Sequence, residues 1–390
     1  MKAFDAEKIL QEARNITGLV DFVGNEFAEA FNQLISSINI QCEISEERWE
    51  HLHNRFLTLL LNRLWMGKDL SEHPEIHNEQ INSPIIIVSL PRTGSTKLHR
   101  MLGASPDFQR LTMWQTHRFA RIPGEPEGGV DKRVQQNREY EHWMQTASPD
   151  ILSGHPMLTD EPEEDQWLSE CTFRQPMTPV MLNAPEYSSW LMQQDPQPVY
   201  DFLLLQLKYM QWQNRQLHGD AEASKPWLLK SPNHLGMESF LTGIFANPRF
   251  IYTHRDPVEV APSGSFMVRH FRRLYSDQWQ LDDIGDALVK MVAQMATLHL
   301  QWRNTQPDLK ALDLSFKDIT FHGDQALRQV YSFLNLPLSE QAEKAMARWE
   351  TNNRQNKHGK NSYSLSEMGM TPEDVRTLFA GYIAQYQEYL

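Results

Sequence analysis

Apolar residues recur at helical spacing through residues 1–80. Ile9, Ala13 and Ile16 form one stripe, and Phe27, Phe31, Leu34 and Ile35 form a second. A third segment, about 46–66, sets Trp49, Leu52, Phe56, Leu59, Leu60 and Leu64 on one face, and Gly67 reads as its end. "SEHPEIHNEQINSP" then reads as a linker. The pattern changes at Ile85-Ile86-Ile87-Val88, a short apolar run of the kind a buried strand needs. Three more such runs follow, at Trp227–Leu229, Phe250–Thr253 and Ala311–Phe316, each between helical segments. Strands alternating with helices predict an α/β fold with a parallel sheet.

This organisation divides the chain into an N-terminal helical region (1–80), an α/β core (81–335) and a helical tail (336–390). The core carries an insertion, 105–225, that runs from a loop-like stretch through the acidic "TDEPEEDQW" to the Pro-rich "RQPMTPVMLNAP". A helix of about Val199–Leu217 closes it. In the tail, Trp349, Leu378, Phe379, Tyr382 and Tyr386 make an amphipathic pattern suited to packing on the core or on a partner.

Ligands of parallel α/β sheets bind beyond the carboxyl ends of the strands, so those ends are where chemistry is expected. After the first strand comes Leu90-Pro91-Arg92-Thr93-Gly94-Ser95-Thr96, then a helical pattern. Backbone N–H groups, three hydroxyls and one Gly suit an anion cradle at a helix start. The Walker signature GxxxxGK[ST] is missing, with Ser89 where its first Gly belongs, and Arg92 offers a forked cation instead. The second strand ends at Lys230, with Ser231 as N-cap, Pro232 opening a helix and His234 in its first turn. A neutral His beside a Lys suits proton transfer from a hydroxyl. The third strand ends in Arg255, Asp256 and Pro257, a second anion site, with Ser263 two turns along. Pro262 removes one helical hydrogen bond there and predicts a kink. Each strand end, taken singly, also suits an ordinary capped turn or a surface ion pair.

Composition narrows the partners. The 390 residues carry 37 Lys and Arg against 50 Asp and Glu, a net charge of −13, which argues against nucleic acid. A polyanionic ligand therefore needs a local basic site. The two cysteines and fifteen histidines show no metal-ligand spacing. With neither a signal peptide pattern nor a long apolar run, a cytoplasmic protein without a membrane span is expected.

The three strand ends together resemble the PAPS-dependent sulfotransferases, in a bacterial branch of about this length. The likeness extends over nearly the whole chain, through "FKDI" (Phe316–Ile319) and "NRQNKHGKNSYSL" (Asn353–Leu365). It implies a P-loop NTPase-like fold, 3′-phosphoadenosine 5′-phosphosulfate (PAPS) as sulfonate donor, 3′,5′-adenosine bisphosphate (PAP) as product, and no metal. It also implies a cradle of Arg92, Thr93, Gly94, Ser95 and Thr96 for the 5′-phosphosulfate, and Arg255 with Ser263 for the 3′-phosphate. Lys357, His358 and Gly359 would fold over that phosphate. Arg92 and Lys230 would carry the transfer, with His234 and Glu161 first among the candidate bases. Glu164, Asp165 and His155 remain in contention, whereas Gln115 stands where some branches place a Glu. The acceptor implied is a small hydroxylated molecule. Trp114, Trp143, Trp167, Trp190 and Trp212 in the insertion suit an apolar or aromatic pocket, or simply a core. Two other readings stay open from the residues: a P-loop nucleotide kinase, and a PAPS- or PAP-binding module without activity. The oligomeric state is left open too.

Overall fold

The computed structural model describes residues 2–125, 131–276, 285–353 and 364–390. Five parallel strands form one sheet: β1 (Ile85–Ser89), β2 (Gln109–Arg110), β3 (Trp227–Lys230), β4 (Arg249–His254) and β5 (Ala311–Ser315). Their order is β2-β3-β1-β4-β5. β1 is central, with Ile87 paired to Lys230 on one side and Ile251 on the other. The expected α/β class and its four strands are present. The two-residue edge strand β2 was not foreseen, being too short to show a period.

Side chains alternate across a strand, and both faces of this sheet are covered, which is why its strands read as unbroken apolar runs. Ile86, Val88, Leu229, Phe250 and Tyr252 join the larger core. Ile85, Ile87, Leu228, Ile251 and Leu314 join the smaller one, with residues of the helices Gly323–Leu334 and Glu340–Asn352.

Three N-terminal helices, α1 (Ala6–Thr17), α2 (Glu26–Gln41) and α3 (Glu46–Glu72), belong to the larger core. Asp5 caps α1 through Lys8 N at 3.1 Å, and Ser45 caps α3 through Arg48 N at 3.4 Å. Phe31 meets Phe173 of the insertion at 4.4 Å between ring centroids. Two expectations are corrected by these helices. Ile16 is 54% exposed rather than on the buried stripe. Helix α3 also continues through Gly67 to Glu72, because that Gly serves packing and not termination. A Cβ at Gly67 would lie 2.7 Å from the Asp21 carbonyl oxygen.

The insertion lacks regular structure at 121–125, as expected, and is largely helical elsewhere. It includes α5 (Met113–His117), α6 (Lys132–Ala147), a 3-10 helix at Asp165–Thr172 and a long helix at Gln197–His218, close to the one expected. The tail packs on the sheet. Tyr382 OH lies 2.7 Å from His254 Nδ1, and Tyr386 OH lies 2.7 Å from His299 Nε2. Among the described residues, no helix is long and apolar enough to cross a membrane.

Candidate active site

The end of β1 runs through the loop Leu90–Gly94 into α4 (Ser95–Gly103). Gly94 takes φ 85°, and a Cβ there would lie 3.2 Å from the Phe316 ring, so Gly admits both the turn and the neighbour. Arg92 also has positive φ, 67°, an unusual state for a residue with a Cβ. Among the described residues no side chain caps α4, which leaves its first N–H groups pointing out of the helix start. Ser89, buried at the base of the loop, has a hydroxyl without a partner among the described residues.

The hydroxyls of the loop divide their tasks. Thr93 is fully buried and turned inward, donating to the Leu90 carbonyl at 3.0 Å and meeting Thr253 Oγ1 at 2.6 Å. Its side chain ties the loop to β4, so only its backbone is left for a ligand, contrary to the expected hydroxyl contact. Thr96 faces the other way, and Lys230 Nζ lies 3.4 Å from its Oγ1.

Arg92 is not where the sequence suggested. Its Nε donates to Ser263 Oγ at 2.9 Å and its Nη1 to the Gly154 carbonyl at 2.7 Å, so it joins the first strand end to the third. Arg255 donates from Nη1 to the Arg92 carbonyl at 3.2 Å, and its guanidinium lies 4.0 Å from the Phe316 ring centroid. Arg92, Arg255 and Ser263 therefore form one connected basic group. The helix Pro257–Arg273 runs on through Pro262, held at its start by Asp256, whose carboxylate accepts from Val258 N at 2.9 Å.

At the second strand end, the helix expected from Pro232 is a single 3-10 turn, Pro232–His234. Gly236, at φ 81°, breaks it, and a Cβ there would lie 2.8 Å from the Met295 carbonyl. Lys230 and His234 are both buried, and both face the acidic segment of the insertion. Lys230 Nζ is ion-paired with Glu164, whose other oxygen accepts from Gln166 Nε2. His234 Nε2 lies 2.6 Å from Asp165 Oδ2, and its Nδ1 lies 3.4 Å from Tyr200 OH. Asp165 Oδ1 also accepts from Lys230 N at 3.1 Å. Burial pushes the Asp165 carboxyl up, but the charge and hydrogen bond of His234 outweigh it and hold the group below its ordinary value.

Local packing fixes this acidic segment. Glu163 N donates to the Leu111 carbonyl at 2.9 Å, and Arg100 Nε to the Pro162 carbonyl at 3.2 Å. Gly103 of α4 makes room, since a Cβ would meet Pro162 Cγ at 2.6 Å. Glu163 lies 3.0 Å from His155 Nε2 and 3.3 Å from Arg100 Nη2; burial raises it, yet these two partners hold it well below the carboxylate range. The side-chain ligand atoms of His155, Glu163 and Glu164 lie within 4.8 Å of one another. Arg100 and Lys230 already balance both carboxylates, so the cluster is charge-compensated without a cation. Beside it, burial and then the charge of Lys230 push the His99 imidazole down to about 3, which keeps it neutral.

Glu161, expected as a leading base, is not brought to Lys230. Its Oε2 accepts from Trp349 Nε1 at 2.9 Å, while Pro162 beside it pairs with Thr112 in an isolated antiparallel bridge. Gln115 caps α5, its Oε1 accepting from Thr112 N at 2.9 Å. Arg100, His99 and Tyr200 were missed by sequence reasoning, which has no local signal for a helix-borne Arg or His that turns inward. Of the five insertion tryptophans, Trp167 and Trp212 are buried in the core, and Trp143 lines a cavity. Lys357, His358 and Gly359 lie outside the described residues.

A sulfotransferase-family model matches residues 84–340, which takes in all five strands and the whole insertion. The backbone is similar to that of sulfotransferase STF9 from Mycobacterium avium, with a TM-score of 0.85 at 22% identity, covering 98% of each chain. It is also similar to sulfotransferase STF1 from Mycobacterium tuberculosis H37Rv, with a TM-score of 0.74 at 24% identity, covering 97% of this chain and 99% of that one. At these identities the likeness is one of fold, the P-loop-like α/β fold expected from the sequence. No curated protein matches the sequence.

Proposed function

Because this chain belongs to the sulfotransferase family, we propose that it moves a sulfonate group from PAPS to a hydroxyl of a small acceptor. The observation that carries this reading is the convergence of Lys230 Nζ on Thr96 Oγ1, at 3.4 Å, at the start of α4. That arrangement puts a buried cation beside uncapped helix N–H groups, as transfer from a phosphosulfate requires. A second basic group, Arg255 and Ser263 joined through Arg92, stands one strand away. A nucleotide with phosphates at both ends of its ribose suits that pair of sites. The unpartnered Ser89 hydroxyl and the bare Gly94 favour close approach of an anion to the loop. A kinase would need an acidic metal-holding residue at a neighbouring strand end, where this chain has Lys230 and Arg255.

In the reaction, the donor supplies an S–O bond that breaks to leave PAP. The acceptor oxygen forms the new S–O bond and loses its proton. Lys230 has three N–H donors; Glu164 and Thr96 take two, and the third is available to the bridging oxygen as negative charge builds there. Of the candidate bases, Glu164 is the one in contact with the Lys230 ammonium, and we assign it the acceptor proton. His234 has both ring nitrogens engaged, by Asp165 and Tyr200, and is better suited to hold that segment in place. Sulfonate carries less charge than a transferring phosphoryl group, so side-chain cations suffice where kinases use magnesium.

The test is a melting titration with PAP followed by transfer from radiolabelled PAPS to a panel of hydroxylated acceptors in EDTA. PAP at about 100 times its dissociation constant stabilises the protein by ~2.7 kcal/mol, and the Arg255→Ala variant responds less. No melting response from the wild-type protein, or an equal one from the variant, would refute the donor assignment. Dependence of transfer on added Mg²⁺ would refute the cation assignment.

A further inference from the structure

A cavity of about 220 Å³ lies between α3, α5 and α6, on the side of the molecule built by the N-terminal helices and the insertion. None of the strand-end residues lines it. Its walls are polar and aromatic: Arg55, His117, Arg118, Tyr140, Trp143 and His51. His51 stacks on Trp143 with ring centroids 4.2 Å apart and planes 20° from parallel, giving one flat wall.

The cavity is built around two incompletely bonded groups. Arg55 is ion-paired with Glu170 and so is compensated. Arg118 has no ion pair among the described residues. Its Nη1 has only a long bond to Thr58 Oγ1, at 3.4 Å, and its buried Nε has no partner. An unpaired guanidinium in a recess is costly to keep unless something occupies it. Burial, then the neighbouring Arg55 charge, push its pKa down to about 10. Glu139, also on the lining, is exposed to solvent; its charge is felt at Arg118 but forms no ion pair with it among the described residues.

The second group is His117, 2% exposed, whose Nε2 has no partner among the described residues. A chain of hydrogen bonds fixes its tautomer. Glu141 Oε2 can only accept, so it takes the Thr159 hydroxyl proton at 2.7 Å. Thr159 Oγ1 then accepts from Asn137 Nδ2 at 3.1 Å, which turns Asn137 Oδ1 toward His117 Nδ1 at 3.3 Å. Nδ1 must therefore carry the proton, and Nε2 presents a bare lone pair. Burial, followed by the charge of Arg55, drives the His117 pKa well below the ordinary value, so the ring is neutral.

We infer that this cavity is a binding site for a small aromatic anion, with its acidic group on Arg118, its ring against Trp143 and Tyr140, and any ring hydroxyl donating to His117 Nε2. The volume is below the ~300–1,000 Å³ of drug-sized ligand pockets, which limits the occupant to about one ring. An aryl carboxylate and an aryl sulfate ester share the required chemistry.

Isothermal titration with 4-hydroxybenzoate, phenyl sulfate and phenol, without nucleotide, tests the assignment. At least one of the two acids is expected to bind, and the tighter one identifies the natural acidic group. Phenol is expected to bind about 10- to 100-fold more weakly, the worth of a charge-assisted hydrogen bond. Arg118→Gln should weaken the acids by the same factor and leave phenol unchanged, while Trp143→Ala weakens all three. Melting curves of both variants, expected to match wild type within a few degrees, show that the fold is retained. The inference is overturned if neither acid gives saturable binding up to about 10 mM, or if Arg118→Gln binds them as well as the wild-type protein does.

Discussion

The ion pair between Lys230 and Glu164 joins two segments 66 residues apart and makes the strongest quantitative prediction. Lys230 is 4% exposed and Glu164 6% exposed, so neither charge is solvated when its partner is removed. Lys230→Met leaves Glu164 with Gln166 Nε2 as its remaining side-chain donor. Breaking one side of a buried pair costs ~3–5 kcal/mol, a large part of a stability of ~5–15 kcal/mol. Glu164→Gln strands the ammonium with Thr96 Oγ1 at 3.4 Å and should cost a similar amount. The double variant holds no unpaired charge at the site, and ~1–3 kcal/mol is expected, giving a coupling energy of at least ~3 kcal/mol. Urea unfolding of the four proteins measures this cycle. Additivity within ~0.5 kcal/mol would refute the pairing. Transfer separates stability from chemistry: the double variant, although restabilised, should remain slower by about 10²–10³-fold. A double variant that transfers at the wild-type rate would remove Lys230 from the reaction.

Glu161→Gln and Glu164→Gln discriminate between the base candidates: the first should keep transfer within about twofold, and the second should lose about 10²-fold or more, measured at saturating donor. The reverse order would restore Glu161. Gly67→Ala should destabilise by ~1–3 kcal/mol in urea unfolding, opposite in sign to the usual gain from Ala inside a helix, because the new methyl meets the Asp21 carbonyl. The pH dependence of stability follows from His99, whose pKa is lowered from 6.5 to about 3. Between these values the unfolded chain binds a proton that the folded one does not, so stability falls as pH drops through this window by ~1.4 kcal/mol per pH unit for this group. His99→Phe should flatten that slope. Asp165 acts in the same direction at lower pH: its folded pKa is depressed, so its contribution is present above 3.8 and is lost on acidification.

Much of the architecture could be read locally. The strands β1, β3, β4 and β5 announced themselves because a parallel sheet covered on both faces needs runs of apolar residues whatever their distant partners. The places of Lys230, Arg255, Gly94 and Thr96 at or just after strand ends were legible because the apolar runs show where the strands stop. Gly67 was misread because the same residue that ends a helix also permits close packing inside one, and only the position of the Asp21 carbonyl distinguishes the two.

The sequence by itself determined the class of fold, the positions of the strand ends, and the family resemblance those ends carry. It could not say which acidic residue meets which cation. Glu161, Glu163, Glu164 and Asp165 are near neighbours in one acidic run, yet they face Trp349, His155 with Arg100, Lys230 and His234 respectively. Nor could it show that Arg92 reaches across to Ser263, 171 positions away. These pairings were decided by tertiary structure for one physical reason. A periodic pattern is set by residues a turn apart, whereas a buried charge is satisfied by whatever counter-charge the packing of distant helices brings within hydrogen-bond reach.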